Sequence, residues 1–240
     1  MMRIQRALAR AGVASRRRAD ELVAAGRVKV NGHVAQIGQS VDPTHDEITV
    51  DGSAVAAPAA VVWTVLHKPA GVLTTRAHDG RRTVFDMVPE VPGLTYVGRL
   101  DYMTEGVLLL TTDGAAAHRL THPSSEIERT YVATVRGNAV AAAKAARGGV
   151  ELEDGWVRPR EVDVRSAGQR RWEFEVTIAE GRTREVRRLC EALDLEVDRL
   201  VRTRFGPVRL GTLALGYNRT LTGTERRAIE TLVDVTWPSR

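Results

Sequence analysis

The sequence predicts an α+β chain in two parts, a small helix–helix–hairpin unit followed by a larger unit built on a mainly antiparallel mixed sheet. Three observations carry this reading. The first fifty residues are punctuated as two short helices and a hairpin; from Val61 the pattern changes to short β-like runs closed by Gly and Pro turns; and the helices among those runs do not alternate regularly with them. At 240 residues the chain has length for one or two domains, each able to bury a core. Boundaries fall at 1–52 for the first unit, 53–60 for a linker and 61–240 for the second unit.

In the first unit Ile4, Leu8 and Ala11 share a helical face, and Gly12 is placed to end that helix. Ser15 is positioned to cap a second helix, with Leu22 and Val23 as its apolar residues and Gly26 at its stop. Val28-Lys29-Val30 alternates as a strand does, and Asn31-Gly32 is a strong hairpin signal. Ile48-Thr49-Val50 reads as a later strand ending in the turn pair Asp51-Gly52. Residues 53–60 (SAVAAPAA) are small, uncharged and Pro-containing, as suits a linker. In the second unit VVWTVLH (61–67), VLLLTT (107–112), TYVATV (130–135) and WEFEVTI (172–178) read as strands. Helices are expected at Ala115–Leu120, Ala139–Ala146 and Thr183–Leu193, the last with Val186, Leu189, Cys190 and Leu193 along one face.

Hydrophobic residues make up 43% of the chain and charged residues 27%, a balance that reads as soluble and globular. There are 35 Lys and Arg against 30 Asp and Glu, for a net charge of +5. That excess is unevenly spread. From Arg3 to Lys29 there are eight basic and two acidic residues, with Arg16, Arg17 and Arg18 in the first turn of the second helix. Cations at a helix N-terminus oppose the macrodipole, so an external anion such as RNA phosphate explains them, or else they form a solvated charged face. Almost all the basic residues are arginines, whose planar fork suits bidentate phosphate contacts. The lone cysteine, Cys190, excludes an intramolecular disulfide framework and favours a reducing compartment, with cytoplasm as the default. No apolar stretch approaches the about 20 residues needed to span a bilayer, so no membrane partner is expected.

Common catalytic signatures are absent: no Walker A loop, no Gly-rich dinucleotide turn, no zincin motif and no nucleophile elbow. His118 and His122 stand four apart but lack a carboxylate or cysteine at ligand spacing, so no metal site is expected. Cys190, on an apolar helix face, reads as a core residue. Two stretches stand out. Tyr96–Gly114 places Arg99 and Asp101 before a turn and an apolar strand, where Asp101 reads equally as a turn residue and as a carboxylate with a purpose. Ala179–Gly211 interleaves Arg182, Arg184, Arg187, Arg188, Arg199, Arg202 and Arg204 with acids, which fits an ion-pair network or arginines placed for phosphates and one carboxylate.

Read together, these stretches match known motifs. RIQRALARAGVASRRRADELVAAGRVKVNG resembles the small RNA-binding domain of the ribosomal-protein-S-four type. HKPAGVLTT, VGRLDYMTEGVLLLTTDG, ERTYVATVRG, EGRTREVRRLCEAL and RFGPVRLG resemble, in order, the motifs of ribosomal RNA pseudouridine synthases of the RsuA and RluB type. The resemblance implies isomerisation of a ribosomal RNA uridine to pseudouridine, with large-subunit RNA favoured, and no metal or organic cofactor. It places the essential aspartate at Asp101. Arg99 would fill the space left by a flipped-out base, Tyr131 would stack on the uracil, and Arg187 would pair with Asp101 and hold it ionised. Lys68 of the KP motif would support the site, counted with the substrate-binding residues Arg3, Arg16, Arg17, Arg18 and Lys29. The implied partner is ribosomal RNA or a pre-ribosomal particle, engaged by a monomer. Met103, Thr112 and His67 depart from the family's usual residues, all outside the catalytic positions. A non-catalytic RNA-binding or assembly factor is the alternative, against which an intact Asp101, Tyr131 and Arg187 argue. A DNA-binding regulator fits less well, because a strand hairpin and not a third helix follows the second helix.

Overall fold

A computed structural model describes residues 1–56, 60–77 and 79–235. The chain divides into two compact units, Met1–Trp63 with Glu90–Thr95 and Thr111–Ala115, and Thr64–Pro89 with Tyr96–Leu110 and Ala116–Arg240.

The first unit opens with β1 (Met2–Arg3), α1 (Ile4–Arg10) and α2 (Arg16–Ala24). Gly12 (φ +77°) and Gly26 (φ +68°) end the two helices in the left-handed region that glycine tolerates. Ser15 Oγ accepts the Arg18 amide at 3.2 Å, the cap that the sequence predicts for α2. Strands β2 (Val28–Val30) and β3 (His33–Val34) pair antiparallel across the Asn31-Gly32 turn; β4 (Ser40–Val41) pairs with β1. β5 (Ile48–Val50) pairs with β2, and across the Asp51-Gly52 turn with β6 (Ser53–Ala54), so the expected linker begins as a strand. Residues 57–59 of that linker lie outside the described residues. Ile4, Leu8, Leu22, Val28, Val41 and Ile48 are among the buried residues that form the core of this part.

The rest of the chain, most of it in the second unit, carries β7 (Trp63–Lys68), β8 (Thr95–Val97), β9 (Thr104–Thr111), α3 (Gly114–Thr121), β10 (Arg129–Arg136) and α4 (Ala139–Gly148). A small antiparallel pair follows, β11 (Val150–Leu152) and β12 (Gly155–Val157). Then come β13 (Glu161–Gly168), β14 (Arg171–Ile178), α5 (Glu185–Ala192), β15 (Glu196–Phe205), β16 (Val208–Arg209), β17 (Asn218–Thr220) and α6 (Gly223–Val235). One mixed sheet runs β13-β14-β10-β15-β9-β7-β17, with β16 on β15 and β8 on β9. β9 and β15 run parallel, while β13/β14, β14/β10, β10/β15 and β17/β7 are antiparallel. The fold class is therefore α+β with a mainly antiparallel mixed sheet. β9 (TEGVLLLT) lies within the sheet with Leu108, Leu109 and Leu110 all buried, which is why it reads as an unbroken apolar run.

Two glycines set the backbone near the middle of the sheet. Gly106 (φ +111°) lies on β9 opposite Arg202 of β15, and a Cβ there would collide with the Arg202 backbone. Only glycine admits that approach. On the other side of β15, the register with β10 shifts between Thr130 and Tyr131, so that Tyr131 faces Arg202.

Candidate active site

The segment before β9 forms a turn, Asp101–Thr104, closed by the Thr104 amide donating to the Asp101 carbonyl at 3.0 Å. All four of its carbonyls are held. Lys68, fully buried at the end of β7, directs its ammonium at the carbonyls of Asp101 (3.1 Å), Tyr102 (3.3 Å) and Thr104 (2.9 Å), and at that of Pro69 (3.0 Å). Arg187, from α5, donates Nη2 to the Met103 carbonyl at 2.9 Å. Upstream, Thr74 Oγ1 donates to the Leu100 carbonyl at 2.9 Å. A short polar segment is thereby fixed at the mouth of an apolar strand, and the Asp101 side chain is left half-exposed.

Lys68 pays for its position in acidity. Burial pulls its ammonium down from 10.5 to about 8, against the opposing pull of Asp101 and Glu105 and with Arg202 adding to the shift.

The turn opens on a cavity of about 330 Å³ whose lining includes Arg99, Asp101, Tyr131, Arg187 and Arg202. This is the size of a small-ligand site. Part of its wall is the loop 180–184, folded by Glu185, which is buried and accepts the Gly181 and Arg182 amides, each at 2.8 Å. Burial raises the Glu185 carboxyl, opposed by those two amides. Arg184 takes a left-handed conformation (φ 51°), so α5 begins at Glu185 and not at the expected Thr183. Behind the loop Arg129 donates Nη1 to the carbonyls of Ile127 and Ala179, both at 2.9 Å, and burial lowers its pKa.

Of the residues singled out in the sequence, Arg99, Asp101, Tyr131 and Arg187 line this one cavity. Lys68 does not; its ammonium sits behind the turn, on backbone carbonyls. The expected Arg187–Asp101 pair does not close to ion-pair distance, and Arg187 reaches the turn through the Met103 carbonyl. Asp101 still acts on it at longer range, opposing the lowering of the Arg187 pKa by burial and by Arg184. Arg3, Arg16, Arg17, Arg18 and Lys29 are all exposed in the first unit, Arg18 in an ion pair with Glu21 at 2.6 Å. The sequence names Arg202 only among the interleaved arginines of Ala179–Gly211, and Glu185 only among the acids there, with no role of its own for either. A hint for Arg202 was its place directly after Leu200 and Val201 in β15.

The RNA pseudouridylate synthase family matches residues 62–192, and the S4 domain matches residues 2–48. An uncharacterized RNA pseudouridine synthase of Mycobacterium tuberculosis is 42% identical over 231 residues, which cover 93% of this chain and 91% of that protein. The chain belongs to the RNA pseudouridylate synthase family. The synthase is also 45% identical over 218 residues to a ribosomal large subunit pseudouridine synthase B of Vibrio vulnificus, covering 87% of this chain and 68% of that one. A solved pseudouridylate synthase matches 95% of the chain and all of its own, 100%, with a TM-score of 0.63 and 27% identity.

The synthase is thus an isomerase of uridine in RNA. Among its described residues no group of three or more His, Cys, Asp or Glu side chains could hold a metal ion. Cys190 is fully buried on α5, and burial pushes its thiol up to about 12. No described helix is long and apolar enough to cross a membrane.

Proposed function

We propose that the synthase converts a uridine of large-subunit ribosomal RNA to pseudouridine with Asp101 as its catalytic carboxylate. The observation that carries this is the convergence of Arg99, Asp101, Tyr131 and Arg187 on one cavity, with Asp101 on a turn whose every carbonyl is held. The similarity to the large-subunit synthase of Vibrio vulnificus supports the choice of RNA.

The reaction breaks the C1′–N1 bond of uridine, joins C1′ to C5, and moves one proton from C5 while N1 gains one. Atoms balance without an oxidant or co-substrate. The carboxylate of Asp101 serves beside the sugar and base as nucleophile or proton acceptor. Its backbone is pre-positioned by Lys68 and Arg187, so little reorganisation accompanies the reaction. Extruding a base costs a few kcal/mol of stacking, which Tyr131 stacked on the uracil and Arg99 inserted in its place offset in part. Residues 1–52, with Arg3, Arg16, Arg17, Arg18 and Lys29, grip the RNA, 53–60 link, and 61–240 carry the chemistry. The synthase acts as a monomer in the cytoplasm, on free ribosomal RNA or a pre-ribosomal particle.

Mapping pseudouridine in large-subunit RNA after incubation with the wild-type protein and with Asp101→Asn tests this. One new pseudouridine with the wild type and none with the variant is expected; an active Asp101→Asn protein would remove Asp101 from its role.

A further inference from the structure

Arg202 is one of the largest fully buried side chains in the synthase, at 2% exposure, and it is incompletely satisfied. Its Nε donates to the Val107 carbonyl at 2.8 Å, and its Nη1 approaches the Tyr131 hydroxyl at 3.4 Å. Its Nη2 is buried and has no hydrogen-bond partner among the described residues. Among the described residues no carboxylate stands within ion-pair distance of the guanidinium, which instead faces the rings of Phe205 (5.2 Å) and Tyr131 (6.0 Å). A buried donor without an acceptor costs about 1–3 kcal/mol, and more when it is charged. The surrounding backbone is arranged to put it there: Gly106 lets β9 come against the Arg202 backbone, and the register shift in β10 brings Tyr131 opposite it. Bulges next to active sites commonly re-aim a side chain in this way.

The cavity also has an order of depth. Arg99 and Arg184 line it and are exposed, whereas Tyr131 and Arg202 line it and are buried. A nucleotide entering would leave its charged sugar–phosphate near the exposed arginines and carry its base inward. The acceptors that a uracil brings are its two carbonyl oxygens, and when the glycosidic bond breaks the departing ring spreads negative charge onto both. We propose that Arg202 is a substrate-binding catalytic residue, donating Nη2 to a carbonyl oxygen of the extruded uracil and, through Nη1, orienting the Tyr131 hydroxyl. This rests on the uridine-isomerising reading of the cavity. The bond strengthens as the ring becomes anionic, the differential binding that accelerates a step.

The test pairs atom changes on both sides of the contact. RNA carrying uridine, 2-thiouridine or 4-thiouridine at the target position is turned over once at saturating protein by the wild type, Arg202→Lys and Arg202→Gln. Sulfur is a poorer acceptor, so one thio-RNA is slowed in the wild type. Either variant loses about 10²–10³-fold in rate on uridine, as for removal of a single oxyanion donor. In the variants the same thio-RNA is then no slower than uridine, while the other thio-RNA keeps its wild-type ratio. A purely structural Arg202 predicts lower thermal stability and an equal proportional slowing of all three RNAs, and that result would overturn the proposal. If neither variant folds, the wild type alone decides, since equal rates on the three RNAs leave no contact for Arg202 to make. Absence of pseudouridine from wild type on ordinary RNA would count against the reading of the cavity and not against Arg202 in particular.

Discussion

Lys68 shows how one side chain fixes a turn from behind. Its ammonium is shared among four carbonyls in a place where burial holds its pKa at about 8, against 10.5 for the ordinary group. Between those two values the unfolded chain binds more protons than the folded one, so stability contributed through this group rises with pH across that window. Replacing Lys68 by Met removes the slope and leaves carbonyls without donors, at a cost on the order of 3 kcal/mol. Denaturant unfolding of wild type and Lys68→Met between about pH 8 and pH 10 checks this; curves that stay parallel would contradict it. Asp101, Arg99, Tyr131 and Arg187 were legible because each falls inside a short motif that resembles a known one. Arg202 was not, because its meaning comes from two strand registers meeting, and neither register is written in the residues next to it. The Arg187 bond to the Met103 carbonyl escaped for a similar reason, since a bond to backbone needs no complementary charge in the sequence.

At the scale of elements, local signals worked where local chemistry decides. The turns Asn31-Gly32 and Asp51-Gly52, the Ser15 cap and the glycine stops of α1 and α2 all lie where the residues place them. They failed where packing decides. β13 (EVDVRSAG) is too polar to read as a strand, yet it forms the sheet edge, with Arg165 beside Glu173 and Glu175 of β14. Charges on such an edge also discourage pairing with another chain. The parallel pairing of β9 with β15 depends on Gly106, whose role only the assembled sheet reveals. Gly106→Ala must push β9 off β15 and strain a positive φ, so a loss of at least about 2 kcal/mol in unfolding free energy is expected. An unchanged melting temperature would show that the two strands tolerate the added methyl.

For the molecule as a whole, charge is segregated along the chain. Arg3 to Lys29 contribute eight positive and two negative charges, a net of +6, so the remaining residues of this +5 chain sum to −1. The surplus belongs to that segment and not to the unit as a whole, because Asp42, Asp46, Glu47, Asp51, Glu90 and Asp113 offset it; the proposed division gives RNA affinity to the segment and bond rearrangement to the second unit. Arg16→Ala/Arg17→Ala/Arg18→Ala is expected to weaken RNA binding and to flatten log K against log salt by about 2, since each lost phosphate contact removes about 0.7–0.9 from the slope. Arg18 contributes least, being already paired with Glu21. The single-turnover rate at saturating RNA stays at the wild-type value; a fall there would break the division between gripping and chemistry.

The solitary thiol of this chain gives its α5 wall a built-in clock. Cys190 is fully buried and its thiol, held near 12, carries almost no thiolate at neutral pH, so reagents reach it only when the helix bearing Arg187 swings away or melts. The extent to which an alkylating dye marks the protein therefore reports how often that wall stands open, with no engineered label to disturb it.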